Sequence, residues 1–225
     1  MNLFKRNKKP LVVTVHGFGK NRSSEMDGLC TFLQAHGYET MQFDIYDLDN
    51  GLDADPKEWI RRCERKMQEA FSINRRVILA GFSMGGVIAS YLATVYRVEK
   101  LILVAPAFRY LDFEKIAKSV SKTVTGRKGD EVPSSAQTKA FRDVVALCKD
   151  SIGRVECPVL ILHGTEDEVI DPSSSHEAYK KIPHNRKRLL FLEGGRHRLL
   201  YDGRLEDTAD RLILDFMNGK LMKTE

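Results

Sequence analysis

The 225-residue chain has only four cysteines, Cys30, Cys63, Cys148 and Cys157, and no two of them form a C-x-x-C pair. Scattered single thiols argue against a disulfide framework or a thiolate metal site, and three of them fall in apolar helical surroundings that suit reduced, buried side chains. Long apolar runs are also missing, since nothing approaches the roughly 20 residues needed to span a bilayer. The opening MNLFKRNKKP is basic but has no apolar h-region behind it, as a secretory signal would. These absences exclude a disulfide-rich secreted scaffold and an integral membrane segment, and the expectation is a cytoplasmic protein. Low-complexity linkers and internal repeats are lacking too. The formal charge of +5 comes from the basic start and from cations interleaved with acids. With no alternation of basic and aromatic residues, a nucleic-acid partner is not expected. His16 and His163 each end an apolar run, but no third ligand stands at a metal-like spacing, so no metal and no cofactor are expected.

What is present fits one domain over residues 1–225, large enough for a substantial core, with 42% hydrophobic residues. Apolar runs of strand length alternate with amphipathic stretches of helix length. The reading is strand 11–15, helix 24–36, strand 39–43, helix 56–73, strand 77–81, helix 84–96 and strand 100–104. After a break come helix 137–150, strand 158–163, helix 173–181, strand 187–192 and helix 203–218. Such a βαβ rhythm predicts about six mostly parallel strands with helices on both faces, a three-layer α/β architecture. The break at 105–136 is longer than an ordinary connection, and the expectation is a small cap inserted there.

One short stretch carries chemistry. In AGFSMGG, residues 80–86, Ser83 stands between Gly81 and Gly85, behind the apolar run RRVILA and ahead of VIASYLATVY. A Gly-x-Ser-x-Gly turn from strand to helix forces the serine into a strained backbone conformation and lifts its hydroxyl above the sheet edge. A serine hydroxyl is a poor nucleophile until a base, an acid behind that base and donors for an oxyanion are supplied. In that arrangement the order should be Ser, then Asp or Glu, then His, each leaving the C-terminal end of a strand. The stretch PVLILHGTEDEVIDP (158–172) supplies a strand and an acidic loop, and KRLLFLEGGRHRLL (187–200) a strand, two glycines and His197. Within the acidic loop, Glu166, Asp167, Glu168 and Asp171 all remain open on residue type alone. Near the start, PLVVTVHGFGK runs a strand into small residues that let backbone N–H groups turn toward a ligand.

Taken in order, HGFG, GFSMGG, HGTEDEVIDP and GGRH resemble the α/β-hydrolase superfamily over nearly the whole chain. Within it the chain looks most like small bacterial carboxylesterases related to monoacylglycerol lipases. The resemblance implies Ser83 as nucleophile, Asp167 as the acid, His197 as the base, and the backbone amides of Phe18 and Met84 as the oxyanion hole. It also implies that the 105–136 insertion roofs the acyl pocket, so Phe108, Tyr110, Leu111, Phe113 and Ile116 become candidate substrate-binding residues. An amphipathic helix packed there for stability alone is an equal reading. The antiparallel strands that often open this superfamily are not expected, because ten residues precede the first apolar run. FDIYDLDN lacks the Arg-Gly-His-Gly of many relatives, which implies a different pocket edge. Trp59 and Tyr46 could reach the mouth of the site, but a helix-face or loop-packing role is the favoured reading. The implied activity is hydrolysis of a small short-chain or monoacyl carboxylic ester; a thioesterase, a serine peptidase or a non-catalytic module on the same fold are the alternatives.

Overall fold

The computed structural model describes residues 8–109, 133–201 and 203–222. Among them the strands are β1 (Leu11–Val15), β2 (Glu39–Met41), β3 (Val77–Phe82), β4 (Lys100–Val104), β5 (Val159–Gly164) and β6 (Lys187–Leu192). The helices are α1 (Asp27–Ala35), α2 (Pro56–Ile73), α3 (Met84–Val95), α4 (Ser135–Cys148), α5 (Ser173–Lys181) and α6 (Glu206–Met217), with short 3₁₀ segments at Arg22–Met26 and Lys149–Arg154. No helix among the described residues is long and apolar enough to cross a membrane.

The strands form one parallel sheet in the order β2-β1-β3-β4-β5-β6. In register, Val13 lies beside Leu79, Leu79 beside Leu101, and Leu103 beside Ile161. Both faces of such a sheet are covered, so the inner strands β1, β3, β4 and β5 are mostly apolar and almost wholly buried, while the edge strands β2 and β6 are only partly buried. Successive side chains nonetheless go to opposite layers. Val77 and Leu79 join Trp59, Met67, Val87 and Phe141 on one face, while Ile78, Ala80 and Phe82 join Leu29, Leu33, Ile213 and Phe216 on the other.

Helix limits differ from the sequence expectation where polar side chains intervene. α4 begins at Ser135 because Ser134 and Gln137 form a reciprocal capping box, with side chain to backbone distances of 3.1 and 2.9 Å. α2 starts where Asp55 accepts the Lys57 N–H at 2.8 Å ahead of Pro56. The expected helix from residue 24 begins instead as a 3₁₀ turn and becomes α-helical at Asp27. β2 stops at Met41 rather than residue 43, and the chain then turns in to place the Ile45 N–H on His16 Nε2 at 2.9 Å.

The strand order sets the position of the site. From β1 the chain moves outward to β2, then returns to β3 on the other side and continues to β6. Where the winding reverses, the loops after β1 and β3 leave in opposite directions and open a crevice at the carboxyl ends of the strands. The HGFG loop follows β1 and Ser83 follows β3.

Candidate active site

Ser83 has φ 52° and ψ −117° between the end of β3 and the first residue of α3. A non-glycine residue in this region is strained and persists only when its surroundings hold it. The hold is visible. The Ser83 N–H donates to the Val104 carbonyl at 2.9 Å, and its own carbonyl accepts from Gly86 and Ala107, both at 3.1 Å. The glycines leave no alternative residue at this bend: a Cβ on Gly81 would lie 2.5 Å from the Gly85 carbonyl oxygen, and one on Gly85 would run into the carbonyls of Val15 and His16. Ser83 is 8% exposed.

The acidic loop after β5 singles out Asp167. Its Oδ1 accepts the N–H groups of Val169 and Ile170, each at 2.8 Å, and its Oδ2 lies 2.8 Å from His197 Nδ1 and 3.0 Å from His163 Nε2. Burial works to raise the carboxyl, but the charge of His197 and the hydrogen bonds of both histidines outweigh it and hold Asp167 well below the usual carboxylate range. The neighbours do other work. Asp171 accepts the Ser173 N–H at 2.8 Å at the start of α5, and Glu168 is exposed and pairs with Arg196 at 3.4 Å.

His197 reaches Asp167 because two loops press together: Glu166 N–H donates to the Gly195 carbonyl at 2.8 Å, and a Cβ on Gly164 would collide with that same residue. Its ring rests on Phe82, centroids 5.0 Å apart, immediately before Ser83 in the chain. Since Asp167 Oδ2 can only accept, Nδ1 carries the proton and Nε2 is left as the basic nitrogen of the neutral ring.

His163, for which the sequence suggests no metal role, is in direct contact with Asp167. Its Nε2 faces Asp167 Oδ2 and the Ile170 carbonyl, two acceptors, so that nitrogen is protonated, while Nδ1 meets Ser175 Oγ at 2.5 Å. His16 is fully buried; the Ile45 N–H donates to its Nε2, its Nδ1–H goes to the Gly17 carbonyl at 2.6 Å, and burial lowers its pKa to about 4. It is therefore a neutral strut under the loop. Among the described residues no group of three His, Cys, Asp or Glu side chains is arranged to hold a metal ion.

The HGFG loop is pinned on several sides. Tyr46 and Trp59 are both buried, as packing residues would be, but the Tyr46 hydroxyl also accepts the Gly19 N–H at 2.9 Å and donates to the Gly19 carbonyl at 2.7 Å. Gly17 N–H donates to Glu25 Oε2 at 3.0 Å. Between them the ring of Phe18 stacks on Phe141 at 4.6 Å. Met84, the first residue of α3, belongs to a turn whose N–H groups have no partner within the helix. Phe108 is half-buried against the core face that holds α2 to α5; Tyr110, Leu111, Phe113 and Ile116, with most of the expected cap, lie outside the described residues.

Sequence order alone singles out neither Glu25 nor Tyr201, and it gives Tyr46 no partner. Tyr46 and Gly19 are 27 positions apart, and Glu25 and Tyr201 176, so only the folded chain brings them together.

Known proteins agree with this architecture. A family profile described as Serine aminopeptidase, S33, matches residues 130–204, a stretch that includes Asp167 and His197 but not Ser83. Alpha/beta hydrolase domain-containing protein 17C of Xenopus tropicalis is 33% identical over 121 residues, 54% of this chain, and this chain spans only about a third (33%) of its length. A structure from the metagenome-derived lipolytic enzymes LipS and LipT superposes with a TM-score of 0.78 at 20% identity, covering 94% of both chains. A soluble variant of monoglyceride lipase from Saccharomyces cerevisiae gives 0.75 at 18% identity, covering 97% of this chain and 89% of that one. With its parallel six-stranded sheet and helices on both faces, the chain has the α/β-hydrolase fold and resembles monoacylglycerol lipase-like esterases.

Proposed function

We propose that the chain is a serine hydrolase of small carboxylic esters that works through an acyl-enzyme on Ser83. The observation that carries this reading is the contact of 2.8 Å between His197 Nδ1 and the buried Asp167 carboxylate, with the imidazole resting on the residue before a strained Ser83. In this reading His197 Nε2 takes the Ser83 proton as the oxygen attacks the ester carbonyl. Asp167 keeps the imidazole in the required tautomer and stabilises the cation that forms. The N–H groups of Phe18 and Met84 receive the developing oxyanion, which is usually the largest single contribution to acyl-transfer catalysis. The alcohol leaves with the proton held by His197. Water then repeats the cycle on the acyl-enzyme, releasing the acid and regenerating the serine.

The domain would be a single one, with Phe108 a candidate residue of the acyl pocket. The four cysteines are free, with Cys30, Cys63 and Cys148 buried, which supports a reducing, cytoplasmic setting. A second reading, amide hydrolysis by the same residues, draws support from the description of the matching family profile. The test is hydrolysis of p-nitrophenyl butyrate together with labelling by a fluorophosphonate. We expect turnover and a label on Ser83 alone; a label on another serine, or turnover that survives Ser83→Ala, refutes the assignment. Faster cleavage of aminoacyl amides than of esters would favour the second reading.

A further inference from the structure

Glu25 has no place in the triad, yet its carboxylate is buried between the two loops that flank it. It sits in the 3₁₀ segment Arg22–Met26 and is 6% exposed. Oε2 accepts the Gly17 N–H at 3.0 Å, one residue before Phe18, and Oε1 accepts the Tyr201 O–H at 3.2 Å, in the turn that begins at His197. The same turn closes on Phe82: the ring of His197 rests on it, and Tyr201 meets it edge-on at 5.9 Å. There is little slack in this corner, since a Cβ on Gly17 would lie 3.0 Å from the Phe82 ring and 3.1 Å from Glu25 Oε2.

Burial pushes the Glu25 carboxyl up; the Gly17 N–H, His197, Tyr201 and Arg198 pull the other way. A desolvated carboxylate is costly to the fold unless its hydrogen bonds are made. Here both oxygens are used, and each bond ends on a different arm of the site. Catalytic donors must be aimed at the place where charge develops, and misplacement by about 1 Å costs on the order of 10²-fold in rate.

We propose that Glu25 is a positioning residue: it ties the Gly17–Phe18 peptide to the His197–Tyr201 turn, so that oxyanion donor and base keep a fixed relation about Ser83. This inference rests on the reading of Ser83 as nucleophile. It names a third anchor, contributed by neither the triad nor the oxyanion loop, and one that no local motif marks. A glutamine at position 25 could still accept from Gly17 and donate to the Tyr201 oxygen. An alanine could do neither.

The experiment compares wild type, Glu25→Gln, Glu25→Ala and Tyr201→Phe in full-length protein, with p-nitrophenyl butyrate kinetics and amide exchange at Gly17 by NMR. Glu25→Ala should lower kcat roughly 10- to 100-fold while KM stays within about threefold, because the loss falls on the transition state. Glu25→Gln should recover to within about fivefold of wild type, and Tyr201→Phe should lie between the two, again with KM little changed. Gly17 should exchange faster in Glu25→Ala than in wild type or Glu25→Gln, a readout that needs no turnover. The proposal is overturned if kcat of a folded Glu25→Ala stays within about twofold of wild type, if its loss appears in KM alone, or if Gly17 exchange is unchanged. Should circular dichroism show that Glu25→Ala is unfolded, the other two variants decide: a glutamine variant slower than Tyr201→Phe overturns the proposal, and the reverse order supports it. Failure of the Ser83 reading is separate, since it shows as absent labelling of wild-type Ser83 and leaves the exchange result standing.

Discussion

The hydroxyl of Tyr46 closes on both backbone polar groups of Gly19, accepting its N–H at 2.9 Å and donating to its carbonyl at 2.7 Å. One side chain thus does for the end of the HGFG loop what a neighbouring strand would do in a sheet. Tyr46 is itself wedged against Trp59, rings stacked at 4.6 Å, and 1% exposed. Tyr46→Phe keeps the packing and strands both Gly19 groups, at a cost of about 1–3 kcal/mol for a buried group left unmade. We expect a lower melting temperature and, because Phe18 is adjacent, a drop in kcat of roughly tenfold. Thermal melts and steady-state kinetics check both; an unchanged kcat would show that the loop holds its shape without this clamp.

At Ser83 the backbone conformation and the chemistry can be separated. With φ at 52°, the residue stores strain on the order of 1–3 kcal/mol. Ser83→Ala removes the hydroxyl but keeps the strain, whereas Ser83→Gly removes both. Each should lose on the order of 10⁶ in kcat. The glycine variant should melt about 2–4 °C above the alanine variant for each kcal/mol released. Equal melting temperatures would mean that the conformation is not strained.

The acid assignment turns on neighbouring carboxylates with different partners. In Asp167→Asn the carbonyl oxygen stays on the Val169 and Ile170 N–H groups and the amide NH2 faces His197 Nδ1, forcing the wrong tautomer, so kcat is expected to fall by roughly 10⁴. Asp171→Asn touches only the start of α5, where Asp171 accepts the Ser173 N–H, and should leave kcat near wild type. Glu166→Gln and Glu168→Gln belong in the same series. An active Asp167→Asn alongside an inactive Glu168→Gln would move the acid to the neighbouring residue.

A further variant concerns stability alone. Asp210 is 3% exposed on α6 with Oδ1 unpartnered, and burial, together with the charges of Glu206 and Asp207, raises its pKa to about 7. A carboxyl raised in the folded state from an ordinary value near 3.8 binds its proton more tightly folded than unfolded. Its penalty is therefore absent below about pH 4, grows as pH rises to about 7, and is complete above that. Asp210→Asn should raise the melting temperature by several degrees at pH 8 and hardly at all at pH 4.5. A gain that is the same at both values would exclude the ionised carboxylate as its cause.

The elements of the sheet were legible because parallel strands are apolar on both faces and the helices between them are not. Every strand and helix named from the pattern is present, and the errors lie at ends decided by single side chains, such as Ser134 at the start of α4. The Ser83 turn and a pairing of His197 with the acidic loop after β5 could be anticipated from chain order, since each follows a strand of the same sheet; the choice of Asp167 within that loop rests on the family resemblance. The residues that hold them could not. His163 stands four positions before Asp167, a spacing that means contact on a helix; here a loop makes the contact, and nothing in the letters distinguishes the two cases. Glu25 is an acid in a polar run, NRSSEMD, that reads as exposed until the 3₁₀ turn directs it inward.

The sheet order also has a consequence for the nascent chain. β1, the earliest of the six described strands in chain order, lies inside the sheet between β2 and β3, so the parallel pairings of β1 to β4 can assemble once residues 11–104 have been made. Ser83 and the HGFG loop then exist, but Asp167, His197 and Tyr201 have not yet been synthesised. Contacts of α6 and the residue after it reach far back along the chain: Tyr38 bonds Asn218 at 3.0 Å, and Lys100 reaches the carbonyl of Phe216 at 3.0 Å. Loop-closure entropy makes such distant pairings slow to form. A growing polypeptide therefore holds the Ser83 turn before the carboxylate and imidazole proposed to activate it have been made.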